Sequence, residues 1–158
     1  MHIDIWGPSH MVTLTKTRWF ITFIDNHTRV WWIYLFKEKS LAKRVFKIFH
    51  AMIKTQFQTQ IQILWIDNGS EYCNSLLGDY LLENGIIQQS SCFDTPQQNG
   101  IAKRKNHYLM EVARAIMFTL RVYKSFWGEV VLTAPYLINR MPTKILGFEI
   151  PLHHFSKV

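Results

Sequence analysis

At 158 residues the chain fits one domain and can bury a real core, and with 48% apolar and 15% aromatic residues it is not a disordered tail. Its +7 formal charge suits a polyanionic partner, although many basic domains bind no nucleic acid. Val30–Phe36 is the longest uninterrupted apolar stretch, too short for a membrane helix. The N-terminus lacks the basic region and apolar run of a signal peptide.

Three strand-like runs open the chain. The first, His2–Trp6, stops at Gly7-Pro8. The second, Trp19–Asp25, and the third, Val30–Phe36, are joined by a short polar turn and read as an antiparallel hairpin. Their alternating aromatics, Trp19, Phe20, Phe23, Trp31, Trp32, Tyr34 and Phe36, suit core packing better than base stacking. Ser40 is expected to cap a helix in which Ala42, Val45, Phe46, Phe49, Met52 and Ile53 recur at helical spacing. Lys43, Arg44, Lys47 and Lys54 take its outer face.

A nearly continuous apolar run, Ile61–Ile66, is expected as a strand buried on both faces, ending at the turn Asp67-Asn68-Gly69. A helix over Asn74–Glu83, a strand over Ile86–Ser90 and helices over Gln98–Phe118 and Lys124–Asn139 follow. The order β-β-β-α-β-α-β-α-α predicts an α/β fold: a mixed five-stranded sheet with helices on both faces. Cys73 and Cys92 form no CxxC and read as free thiols of a reducing compartment.

Two acids sit at strand positions. Asp4 alternates with Ile3 and Ile5, and Asp67 closes the fourth strand. A carboxylate on a central strand is costly unless a cation or hydrogen-bond donors meet it. If the two strands are neighbours, the pair makes a hard-oxygen site suited to Mg²⁺. Spacing alone favours the other reading, in which Asp4 caps a local turn and Asp67 is only the first residue of its turn. The adjacent His153-His154 has no second pair at zinc spacing and reads as a surface pair.

Thr95-Pro96-Gln97-Gln98-Asn99-Gly100-Ile101-Ala102-Lys103-Arg104-Lys105-Asn106 resembles the TPQQNGxAERxN motif that opens the last catalytic helix of copia-type retrotransposon integrases. Other segments agree in order. Asp4-Ile5-Trp6-Gly7-Pro8 resembles the first-aspartate motif, Phe23–Arg29 the FIDDxSR turn and Asp67–Tyr72 the DNGxEY motif. Phe126–Glu129 and Tyr136–Pro142 resemble the FWxEA…YLxNRxP close.

The resemblance implies an RNase H-like integrase core over residues 1–142, with 143–158 starting a post-core region. Such cores hold two Mg²⁺ (or Mn²⁺) ions with two aspartates and a glutamate and attack a phosphodiester in line. It assigns Asp4 and Asp67 as catalytic residues and metal ligands. The glutamate position, after 35 intervening residues, is Lys103. Glu111, eight residues further, lies about 12 Å along the helix and roughly 80° round it, a poor substitute. Loss of strand transfer is therefore the expectation.

Phosphate contacts need only cations, and in the family this helix lies against DNA. Lys103, Arg104, Lys105, His107 and Arg114 are the expected DNA-binding residues. The implied partners are DNA and a second copy of the chain, with no membrane, and the implied location is nuclear. Two rival readings remain: a scaffold without a nucleic-acid role, and an active nuclease using another acid. Because this sequence shows no zinc-binding module before Asp4 and no DNA-binding tail after Val158, a remnant of such an element is the expectation.

Overall fold

Residues 1–66, 71–90 and 96–156 are described by the computed structural model of the protein. Among them five strands form one sheet: β1 (His2–Trp6), β2 (Trp19–Ile24), β3 (Trp31–Phe36), β4 (Ile63–Ile66) and β5 (Ile87–Ser90). Their order is β3-β2-β1-β4-β5, with β1 antiparallel to β2 and parallel to β4. The helices are α1 (Ala42–Gln56), α2 (Glu71–Glu83), α3 (Pro96–Thr119), α4 (Trp127–Ile138) and α5 (Pro151–Phe155). No described helix is long and apolar enough to cross a membrane.

Strand alternation divides the apolar residues between two layers. Ile3, Ile21, Phe23, Leu64 and Ile66 pack with Phe46, Phe49 and Ile53 of α1 and Leu77 and Leu81 of α2. Phe20, Ile24 and Trp31 face Leu109 and Ala113 of α3 and Trp127, Val130, Val131 and Ala134 of α4. Helices thus cover both faces, and the aromatics of the hairpin are core residues as expected. Gly128 lets α4 approach the sheet closely: a Cβ there would lie 2.7 Å from Thr13 Cγ2 and 3.1 Å from Leu35 Cδ1.

Several boundaries differ from expectation. Ser40 does not cap α1. The chain makes a 3₁₀ turn over Lys39–Leu41, and the Ser40 hydroxyl donates to Glu38 Oε2 at 3.3 Å. Leu41 takes the cap position without a side-chain hydrogen bond. β3 starts at Trp31, after Arg29 adopts the left-handed conformation at φ 64°. α3 begins at Pro96, whose fixed φ and missing N–H suit the first turn of a helix. α5 was not expected from the sequence. Residues 143–156 pack back on the sheet, where Phe155 lies against Trp32 at 5.5 Å and Phe57 at 4.8 Å between ring centroids.

Candidate active site

The parallel pairing of β1 with β4 brings the two acid-bearing strands side by side. His2 lies opposite Trp65 and Ile3 opposite Ile66. Asp4 follows Ile3, and Asp67 follows Ile66 in the sequence but lies outside the described residues. Asp4 sits within β1, not in a turn, and its partner is on α3: Asn106 Nδ2 donates to Asp4 Oδ2.

The neighbouring strand fixes that amide. Thr22, opposite Asp4 on β2, donates its hydroxyl to Asn106 Oδ1 at 3.3 Å, with the Asp4 carbonyl oxygen 3.4 Å away. Asn106 therefore accepts through oxygen and donates through nitrogen, so its orientation follows from its partners. Thr22 and Asn106 are both buried, which keeps water from competing for these bonds. The result is a carboxylate positioned by a side chain 102 residues away in sequence.

Lys103 lies in α3 one helical turn before Asn106; its side chain, like those of Cys73 and Cys92, is outside the described residues. Among the described residues no three His, Cys, Asp or Glu side chains converge on a possible metal position. Glu111 faces solvent, with Oε1 3.1 Å from His107 Nε2.

The expected DNA-binding residues do not share one environment. Arg104, His107 and Arg114 are exposed, and with Glu111 they form a stripe at helical spacing. Lys105 departs from this face. Its Nζ is buried without a hydrogen-bond partner among the described residues. Burial, then repulsion from Arg29, lowers its pKa to about 8, with Asp25 pulling the other way. His2 shares this neighbourhood. Burial first, then Lys105, lowers its pKa to about 4, and the neutral ring stacks on Trp65 at 6.0 Å. Helical spacing from Leu109 and Ala113 would have placed Lys105 on the buried side.

The sign of the Lys105 effect is definite. Because its folded pKa lies below the ordinary 10.5, the unfolded chain binds more protons between about pH 8 and 10.5. Stability from this group therefore rises with pH across that window, and the full cost is present below it. Lys105→Met, which removes the charge and keeps the stem, is expected to stabilise the fold at pH 7 by on the order of 1 kcal/mol. Urea unfolding at pH 7 and pH 9.5 checks this: the gap between natural chain and variant should narrow at the higher pH.

A second clamp was also not foreseen. Asn139 is buried and bonds both backbone groups of Trp31: Oδ1 accepts from the Trp31 N–H and Nδ2 donates to its carbonyl, each at 2.8 Å. It ties the end of α4 to the start of β3.

No protein-family model matches the chain. It is 38% identical over 151 residues, 96% of its length, to the retrovirus-related Pol polyprotein from transposon TNT 1-94 of Nicotiana tabacum. It is 35% identical over the same share to that from transposon RE2 of Arabidopsis thaliana. The chain spans 11% and 10% of those two proteins. Among solved structures it resembles the simian T-cell lymphotropic virus intasome in complex with PP2A regulatory subunit B56 gamma. The TM-score is 0.71 at 13% identity, covering 98% of this chain and 52% of that one. At that identity the likeness speaks for the fold, which is RNase H-like, of the retroviral integrase-core type.

Proposed function

Because the chain belongs to the family of copia-type retrotransposon Pol polyproteins, we propose that it is their integrase catalytic core, retaining a DNA-binding surface and lacking strand-transfer activity. The observation that carries this reading is the clamp of Asn106 on Asp4, which docks the helix bearing position 103 onto the strand bearing the first carboxylate. That docking of β1 and α3 supports the reading for two of the three positions, and the residue at the third is a lysine.

The residues fit at most part of the metal centre that the family uses. Asp4 and Asp67 would hold one Mg²⁺ through oxygen, the donor type that ion requires. A second ion would lack the oxygen ligand of the third acid. Bound Mg²⁺ would polarise a phosphodiester; Asn106 keeps Asp4 oriented, and Lys103 would add positive charge where the ions need negative.

DNA binding does not depend on that ligand. Arg104 and Arg114 lie on the exposed stripe of α3 and would contact backbone phosphates, which makes affinity salt-dependent rather than sequence-dependent. Fluorescence anisotropy on a short duplex tests this. Affinity should fall steeply between 50 and 200 mM salt, and Arg104→Ala and Arg114→Ala should each reduce the log–log salt slope by about 1. A chain that binds no DNA at low salt, or whose slope neither variant changes, would defeat the reading.

A scaffold role is the second reading, favoured by one observation. Phe118 in the last turn of α3 and Leu120 and Tyr123 just beyond it are 83%, 68% and 81% exposed. Such apolar exposure suits a second copy of the chain. This reading predicts self-association without salt-sensitive DNA binding in the same experiment.

A further inference from the structure

Two histidines far apart in the sequence meet beside the turn between β2 and β3. His27 lies in the turn between β2 and β3, and Asp25 pins that turn. Its Oδ2 accepts from the Thr28 N–H at 2.8 Å and from the Thr28 hydroxyl at 2.7 Å. His154 lies on α5, whose Leu152 N–H donates to the Asn139 carbonyl at 3.1 Å. Both imidazoles thus stand on anchored backbone. Their ring centroids are 5.4 Å apart and their planes differ by 53°.

Glu149 decides the chemistry of the pair. Its Oε2 lies 3.1 Å from His154 Nδ1. An ionised carboxylate can only accept, so Nδ1 donates to it and Nε2 is the nitrogen left to face a metal ion. Glu149 is itself held by a backbone bridge to Thr143. A carboxylate behind a histidine, fixing its tautomer and raising its basicity, is the usual support of a metal-bound imidazole.

The spacing agrees. An imidazole nitrogen sits about 2.0–2.1 Å from Zn²⁺, which puts each ring centroid about 3.2 Å from the ion. Two such rings at a near-tetrahedral angle stand about 5.2 Å apart. His27 also borders an open groove lined by Asp25, Trp32, Phe57 and Phe155, which leaves room for water ligands. Since no third His, Cys, Asp or Glu converges there among the described residues, the remaining coordination positions fall to water or an added ligand.

We propose that His27 and His154, supported by Glu149, form an open binding site for a transition-metal ion, Zn²⁺ in the first instance, that fastens α5 to the β2–β3 turn. Nitrogen donors distinguish it from the hard-oxygen site at Asp4 and favour Zn²⁺ over Mg²⁺. The inference does not depend on the DNA reading.

The test is titration of the untagged full chain with Zn²⁺ alone, by calorimetry and by thermal melting. One ion should bind per chain with micromolar affinity, raise Tm, and persist in excess Mg²⁺. His27→Ala and His154→Ala should each weaken binding at least tenfold and abolish the Tm rise, and Glu149→Gln should weaken it on the order of tenfold. Melting without metal shows whether each variant is folded, and His27→Gln and His154→Gln serve where alanine disturbs the fold. His10→Ala removes an exposed histidine outside the site and should leave Zn²⁺ affinity unchanged. Affinity unchanged by the His27 and His154 variants, affinity lost with His10→Ala, or no binding at 100 μM Zn²⁺ would each overturn the proposal.

Discussion

Phe49→Ala is expected to destabilise the fold by about 3–5 kcal/mol, the range for removing a large aromatic from a packed core. Phe49 is fully buried on α1 and stacks on Phe23 of β2, with centroids 3.9 Å apart and planes 5° from parallel. Trp32 and Tyr34 of β3 meet it edge-on at 5.5 and 6.2 Å. Its loss leaves a cavity between helix and sheet lined by rigid rings that cannot collapse into it. In a domain of this size the change lowers Tm by roughly 6–20 °C. Urea unfolding followed by tryptophan fluorescence checks this, with a lower midpoint at unchanged slope. A loss below about 1 kcal/mol would mean that α1 does not pack on the sheet as described. The double variant with Phe23→Ala should show a coupling of about 0.5–1.5 kcal/mol.

Much of this architecture was legible because its periodicities are strong. The hairpin runs alternate cleanly, so Phe23 and Phe20 fall on opposite faces, and the apolar spacing of α1 is that of a helix. Boundaries were less legible because they follow from tertiary partners. Ile61 and Gln62 precede the strand, and β4 begins at Ile63, opposite Ile87. Ser40 has the chemistry of a cap, but the 3₁₀ turn moves the helix start beyond it. α5, five residues long, is too short for periodicity to reveal.

The strand position of Asp4 was legible, and its connection to α3 was not. Alternation places Asp4 on one face of β1, but its partner lies on another element, and no local pattern announces that pairing. Asn106 and Asn139 both sit in the motifs that carried the resemblance, yet their roles as clamps emerge only when β1 meets α3 and β3 meets α4. Lys105 shows the opposite case. A run of three basic residues, Lys103-Arg104-Lys105, reads as one cationic patch, although successive residues point about 100° apart on a helix. The turn of the helix takes Lys105 off the exposed face.

Lys103→Glu is the substitution expected to have the largest functional effect. A unit-charge pair at 4 Å is worth about 4 kcal/mol at an effective dielectric of 20, on the order of a thousandfold in rate. On the proposed assignment, the natural lysine would reverse the sign of that interaction toward a divalent ion and offer no oxygen ligand. Swinging the ammonium aside recovers part of the repulsion and none of the coordination. A gain of at least about a hundredfold is therefore expected from the restored carboxylate.

The measurement is Mg²⁺- and Mn²⁺-dependent cleavage and strand transfer on a short DNA duplex, natural chain beside Lys103→Glu. The account predicts a silent natural chain and an active variant whose activity disappears again when Asp4→Asn is added. Metal-dependent cleavage by the natural chain, itself abolished by Asp4→Asn, would mean that another group completes the site and would contradict the assignment of Lys103 as the missing ligand.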